Sequence, residues 1–103
     1  MSEQEGVIKF KMEFAAAAAL SAETLAELNA WRRVMVQMGM IGQTPERYSN
    51  YGFGNISCRL DPASPAFSIS GTQTGGIDHL LPEHFATVIE CMPESNTVRA
   101  EGP

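Results

Sequence analysis

The sequence predicts a mixed α/β fold with a largely antiparallel sheet and one long N-terminal helix, on three observations. Apolar residues recur at helical spacing from Leu25 to Met38, which lays a stripe along one side of a helix. Five other segments alternate apolar and polar residues, the period of a strand half-covered by a core. The last four of these fall into two neighbouring pairs joined by short Pro-containing turns, which is the arrangement of antiparallel hairpins.

The elements follow in order. In residues 7–14 (VIKFKMEF), Ile8, Phe10, Met12 and Phe14 share one face, while Lys9, Lys11 and Glu13 share the other. This reads as a half-buried strand. Ala15–Ala19 is low in complexity and serves either as a helix extension or as a compact connector. Ser21 is placed to cap a helix, and Glu23 stands in the first turn, where the helix dipole favours an anion. The apolar stripe then runs through Leu25, Leu28, Trp31 or Arg32, Met35 and Met38, with Gly39 or Gly42 as the stop. Its methionines read as core packing. Residues 43–52 (QTPERYSNYG) form a polar loop. In 53–60 (FGNISCRL), Ile56, Cys58 and Leu60 alternate with Asn55, Ser57 and Arg59. After an Asp-Pro-Ala-Ser-Pro turn, Ala66–Ser70 returns with Phe67 and Ile69 facing inward. Gly71–Gly76 (GTQTGG) breaks that strand, and Pro82 is suited to open a short helical turn. Residues 86–92 and 97–100 make the second hairpin around Pro93–Asn96. The division expected is 1–20 as N-terminal strand and Ala-rich connector, and 21–103 as the body of one domain.

Composition narrows the function classes. The formal net charge of −5 comes with only seven Lys and Arg, scattered along 103 residues, so a basic stripe tracking a phosphate backbone is not expected and nucleic acid is excluded as a partner. The longest apolar run, Phe14–Leu20, is far short of the ~20 residues of a membrane span. The acidic, polar start (MSEQEG) is neither a secretory signal nor a basic transit peptide. No membrane association and a cytoplasmic setting are the expectation. Cys58 and Cys91 lie far apart in alternating segments and read as buried free thiols. His79 and His84 are five residues apart, a spacing that suits neither a helical nor a strand pair of metal ligands, so no metal site is assigned.

Two segments are unusual for a core: Gly52-Phe53-Gly54-Asn55-Ile56-Ser57 and Ser70-Gly71-Thr72-Gln73-Thr74-Gly75-Gly76. Glycine allows the backbone close to a ligand and lets successive N–H groups turn inward as an anion nest. Ser57, Thr72 and Thr74 add hydroxyls, and Asn55 adds an amide. Such a set can hold a phosphate without a cation, as an acidic protein requires. Read singly, each segment is better explained as a simple turn, one entering a strand and one leaving it.

In this order, after the helix and across a hairpin, the two segments resemble the N-terminal half of the class II aldolase/adducin family. The resemblance covers residues 22–103. The lead Glu-Leu-Asn-Ala-Trp-Arg-Arg and the run from Arg47 to Asn55 resemble a branch other than the sugar-phosphate aldolases themselves. It implies an incomplete three-layer α/β/α domain in which Asn55, Thr74 and Gly75 contact the phosphate or equivalent anion of a small, phosphorylated ligand. Family members continue into a Ser-Ser-Glu segment that carries the acid/base glutamate, and then into His-x-His and a later His, which bind a divalent metal of zinc type. Those segments are not among these 103 residues. The resemblance therefore implies a truncated domain, inactive alone, with no catalytic residue and no cofactor of its own. The adducin side of the family implies an alternative, a non-catalytic oligomerisation module. An incomplete sheet leaves an unpaired edge, which predicts self-association.

Overall fold

In the computed structural model, residues 9–103 are described. They form a mixed α/β unit with one α-helix and a five-stranded, mostly antiparallel sheet. Strand β1 spans Lys11–Ala16, helix α1 Ala22–Gln37, β2 Ser57–Arg59, β3 Phe67–Ser70, β4 Phe85–Met92 and β5 Thr97–Gly102. The order across the sheet is β1-β5-β4-β3-β2. The β2–β3, β3–β4 and β4–β5 pairs are antiparallel, and β1 pairs with β5 in parallel. A parallel pair needs a long crossover, and here everything from α1 to β4 intervenes.

Helix α1 starts where its cap chemistry dictates. The Ser21 hydroxyl accepts from the Thr24 N–H at 3.1 Å, satisfying one of the amide groups orphaned at a helix start. The helix stops at Met38, and Gly39 follows with a φ of 76°, the left-handed conformation glycine adopts without penalty. Its buried residues are Leu25, Leu28 and Arg32. Leu25 and Leu28 pack with Leu80 and Phe85, flanked by Leu20 and Ile56, and this cluster joins the helix to the sheet. The expected packing of Trp31 and Met38 is not what forms, for they are 57% and 68% exposed. Arg32 occupies the helical turn after Leu28 on the buried side, which rotates Trp31 and Met38 outward. Among the described residues, no helix is long and apolar enough to cross a membrane.

The register assigns the faces of the sheet. Phe14, Ala100, Val88 and Phe67 lie directly opposite one another across four strands, so their side chains form one row on one face. Ser68 and Thr87, one residue out of step, form a row on the other face. Helix α1 lies on the serine side, where Ser68 is wholly buried and Ser70 nearly so. Phe67 and Ile69, expected inward under the helix, are half-buried on the opposite face. Alternation defines two faces but not which one the helix covers.

Two further expectations change. The N-terminal strand runs through Ala15 and Ala16, and all six residues of β1 are exposed. It is an edge strand whose apolar face nothing among the described residues covers; Val7 and Ile8, assigned to it from the sequence, lie outside the described residues. Both cysteines are free and exposed rather than buried. Cys58 sits on the short edge strand β2 and Cys91 near the far end of β4, where neighbours are few.

Candidate functional site

The two glycine-rich segments meet at the end of β3, although 14 residues or more separate their paired positions. The loop after α1 brings the first segment in. Gly42 and Phe53 form an isolated antiparallel bridge, with Gly42 N–H donating to Phe53 O at 3.0 Å and Phe53 N–H to Gly42 O at 2.8 Å. The Arg47 guanidinium stacks 4.2 Å from the centroid of the Phe53 ring and donates to Gly39 O, a cation–π contact that pins the loop to the helix end. Phe53, 7% exposed, is thereby held as the floor of this corner. Within the loop, Tyr48, Ser49 and Asn50 all have positive φ, and the Gln43 side chain donates to Asn50 O.

Phe53 leads into the contacts that tie the second segment down. Gly52 N–H donates to the Gln73 side-chain oxygen at 2.9 Å, and the Gln73 amide donates back to Gly52 O at 3.5 Å. Ile56 N–H donates to the Ser70 hydroxyl at 3.1 Å. Between the two segments, Gly75 makes the closest approach. A Cβ there would overlap Gly42 O and fall 2.7 Å from Phe53 O and 2.9 Å from Phe53 N, so the two segments touch backbone to backbone. Only glycine allows that separation.

The three residues singled out from the sequence stand in this corner as follows. Asn55 is exposed, and the amide orientation that satisfies its surroundings turns Nδ2 into the loop. There it donates to Ser70 Oγ at 3.1 Å, Ser70 O at 3.1 Å and Gly71 O at 3.2 Å. Thr74, buried, donates from Oγ1 to the same Gly71 O at 2.7 Å. Residues from both segments therefore converge on one carbonyl oxygen. Gly75 is buried beside them. Among the described residues, the Gly75 and Gly76 N–H groups meet no acceptor. Side-chain donors thus shape the turn, and these two backbone N–H groups take no part in it.

One residue important to the corner was not among those candidates. Arg32, 2% exposed, reaches from α1 under the second segment and donates to Thr74 O at 2.8 Å and Ile77 O at 2.9 Å. A longer contact of 3.5 Å reaches Asp78 O. Burial lowers its pKa, with the Asp78 carboxylate acting in the opposite direction. The sequence signal was a cation on the buried stripe, four residues after Leu28.

The two histidines are not brought together as metal ligands. His84 Nδ1 accepts from Leu81 N–H at 2.8 Å, closing the short turn Pro82–His84, and His79 is exposed. Among the described residues, no group of three or more His, Cys, Asp or Glu could hold a metal ion. A separate groove of about 430 Å³ lies between α1 and the β2–β3 hairpin, lined mainly by Leu25, Leu28, Trp31, Met35, Ile56 and Leu60. It shares Ile56 and Ser57 with the first glycine-rich segment but includes neither Thr74 nor Gly75. No protein-family model, curated protein or solved structure matches the chain significantly.

Proposed function

We propose that this chain is the anion-cradling part of a class II aldolase/adducin-type domain, contributing Asn55, Thr74 and Gly75 to a site for a phosphate or similar small anion. The observation that carries the reading is the convergence of both segments on Gly71 O, with the Gly75 and Gly76 N–H groups left without acceptors. Backbone N–H groups in a tight glycine turn are suited to an anion, and the chain's net charge of −5 favours such local donors over a general basic surface. An arriving phosphate would compete for the Thr74 hydroxyl and the Asn55 amide now spent on Gly71 O. Sugar phosphate is the ligand class the resemblance implies.

The same proposal places this unit within a three-layer α/β/α domain. Supporting it, the Phe14–Ala100–Val88–Phe67 row has no helix over it among the described residues, while α1 covers the other face. An apolar sheet face is normally buried against a second layer. The catalytic part of the proposal is negative. The acid/base glutamate and metal histidines of the family are not among these residues, so binding without turnover is expected of the isolated chain.

The test is titration of isotope-labelled chain with inorganic phosphate and with a simple sugar phosphate, followed by amide resonances. Saturable shifts centred on Thr74, Gly75 and Gly76 are expected. A spectrum that stays still up to tens of millimolar would sink the anion reading. The adducin-like alternative, a self-associating module without a ligand, draws support from the exposed apolar face and edge of β1.

A further inference from the structure

We propose that Arg32 is the positioning residue of this anion site, gathering the loop's carbonyls from beneath so that the intervening amide protons face the ligand. The inference rests on the anion reading above and adds to it the element that organises the donors. In a trans peptide the C=O and the following N–H point in opposite directions. Arg32 draws Thr74 O and Ile77 O toward itself, and more weakly Asp78 O. The N–H groups of Gly75, Asp78 and His79, which share those peptide planes, are consequently turned away from the guanidinium. None of the three meets an acceptor among the described residues. One buried side chain therefore sets the direction of three amide dipoles along a five-residue stretch.

The charge balance points the same way. A buried cation is ordinarily paired with a carboxylate. Here the hydrogen-bond partners of Arg32 are all carbonyl oxygens, and its Nε is buried without a partner. Guanidinium keeps its proton under ordinary conditions, so a positive charge lies under the loop, hydrogen-bonded only to carbonyl dipoles and offset in part by the Asp78 carboxylate. An anion on the outer side completes the balance without a surface cation. Lysine cannot substitute, because a single ammonium lacks the planar fork that spans several carbonyls.

The test uses labelled wild-type chain and Arg32→Lys, each titrated with inorganic phosphate. In the folded variant the Gly75 and Asp78 amide resonances are expected to move before any ligand is added, and phosphate affinity to fall tenfold or more. A folded Arg32→Lys that binds phosphate as the wild type does overturns the assignment of Arg32 while leaving the anion site standing. A wild-type chain that ignores phosphate overturns the anion reading itself, and this proposal with it. A measurement on the wild type covers a variant that fails to fold. The side-chain N–H resonances of Arg32, sheltered by burial, are expected to shift on phosphate addition while those of exposed Arg33 do not. Arg32 resonances that stay unmoved through saturation of Gly75 overturn the proposal.

Discussion

Replacing Gly75 with alanine tests the backbone-to-backbone contact on which the corner depends. The new methyl would sit 2.7 Å from Phe53 O and 2.9 Å from Phe53 N, besides overlapping Gly42 O. All three atoms are backbone, so no side chain can swing aside. Phe53 must retreat by about 0.5–0.7 Å, and Gly42 O by more, to restore ordinary contacts, which begin near 3.4 Å. That retreat strains the two hydrogen bonds of the Gly42–Phe53 bridge, each contributing about 0.5–1.5 kcal/mol. Overpacking in a tight site adds about 1–3 kcal/mol. A loss of about 3 kcal/mol is the central expectation. For a chain of this size it lowers Tm by roughly 12–24 °C. Urea unfolding, followed by far-ultraviolet circular dichroism at low temperature, measures it directly. Gly39→Ala is the control: its nearest neighbour is a flexible atom, Arg47 Nη1, at 3.9 Å. Only its φ of 76° resists substitution, at about 1–2 kcal/mol. If Gly75→Ala proved as harmless as an ordinary surface change, within about 0.5 kcal/mol, the close approach would be refuted.

Two further perturbations probe the other contacts. Asn55→Asp places a carboxylate oxygen where Nδ2 now donates to Ser70 O and Gly71 O, and is expected to cost about 1–3 kcal/mol at neutral pH. Facing carbonyls raise the folded-state pKa of the new carboxyl, so the deficit should shrink on acidification as protonation restores a donor; urea midpoints at two pH values decide it, and a deficit that widens instead speaks against the geometry. Phe14, 53% exposed on the edge strand β1, is expected to drive concentration-dependent self-association. Phe14→Lys should abolish that association in sedimentation experiments while changing stability by less than about 1 kcal/mol, and an unaffected assembly would move the interface elsewhere.

The elements were legible wherever their signal is local. The Ser21 cap, the run from Leu25 to the glycine stop, the Pro82 turn and the two hairpins each depend on neighbours within a few positions, and the structure forms all of them. The glycine segments were recognisable as special because Gly75 and Gly52 stand beside hydroxyl- and amide-bearing residues. Less legible was the role of residues whose partners are distant. Gln73 carried no assigned role in the sequence, yet it clasps Gly52 across 21 positions. Arg32 looked like one option in a stripe, and its carbonyl partners lie more than 40 residues away.

What sequence periodicity specifies is which residues share a side, because side-chain direction repeats every 2.0 residues in a strand and every 3.6 in a helix. It specified that Ser68 and Ser70 oppose Phe67 and Ile69, and that Leu25 and Leu28 travel with Trp31 or Arg32. Which side becomes interior depends on how helix and sheet approach, and that is a property of the assembled chain. The helix came down on the serines, the arginine went inside with the leucines, and Trp31, Met38 and both cysteines were left in solvent. The convergence of Asn55 and Thr74 on a single carbonyl belongs to the same level, for neither residue carries any local mark of the other.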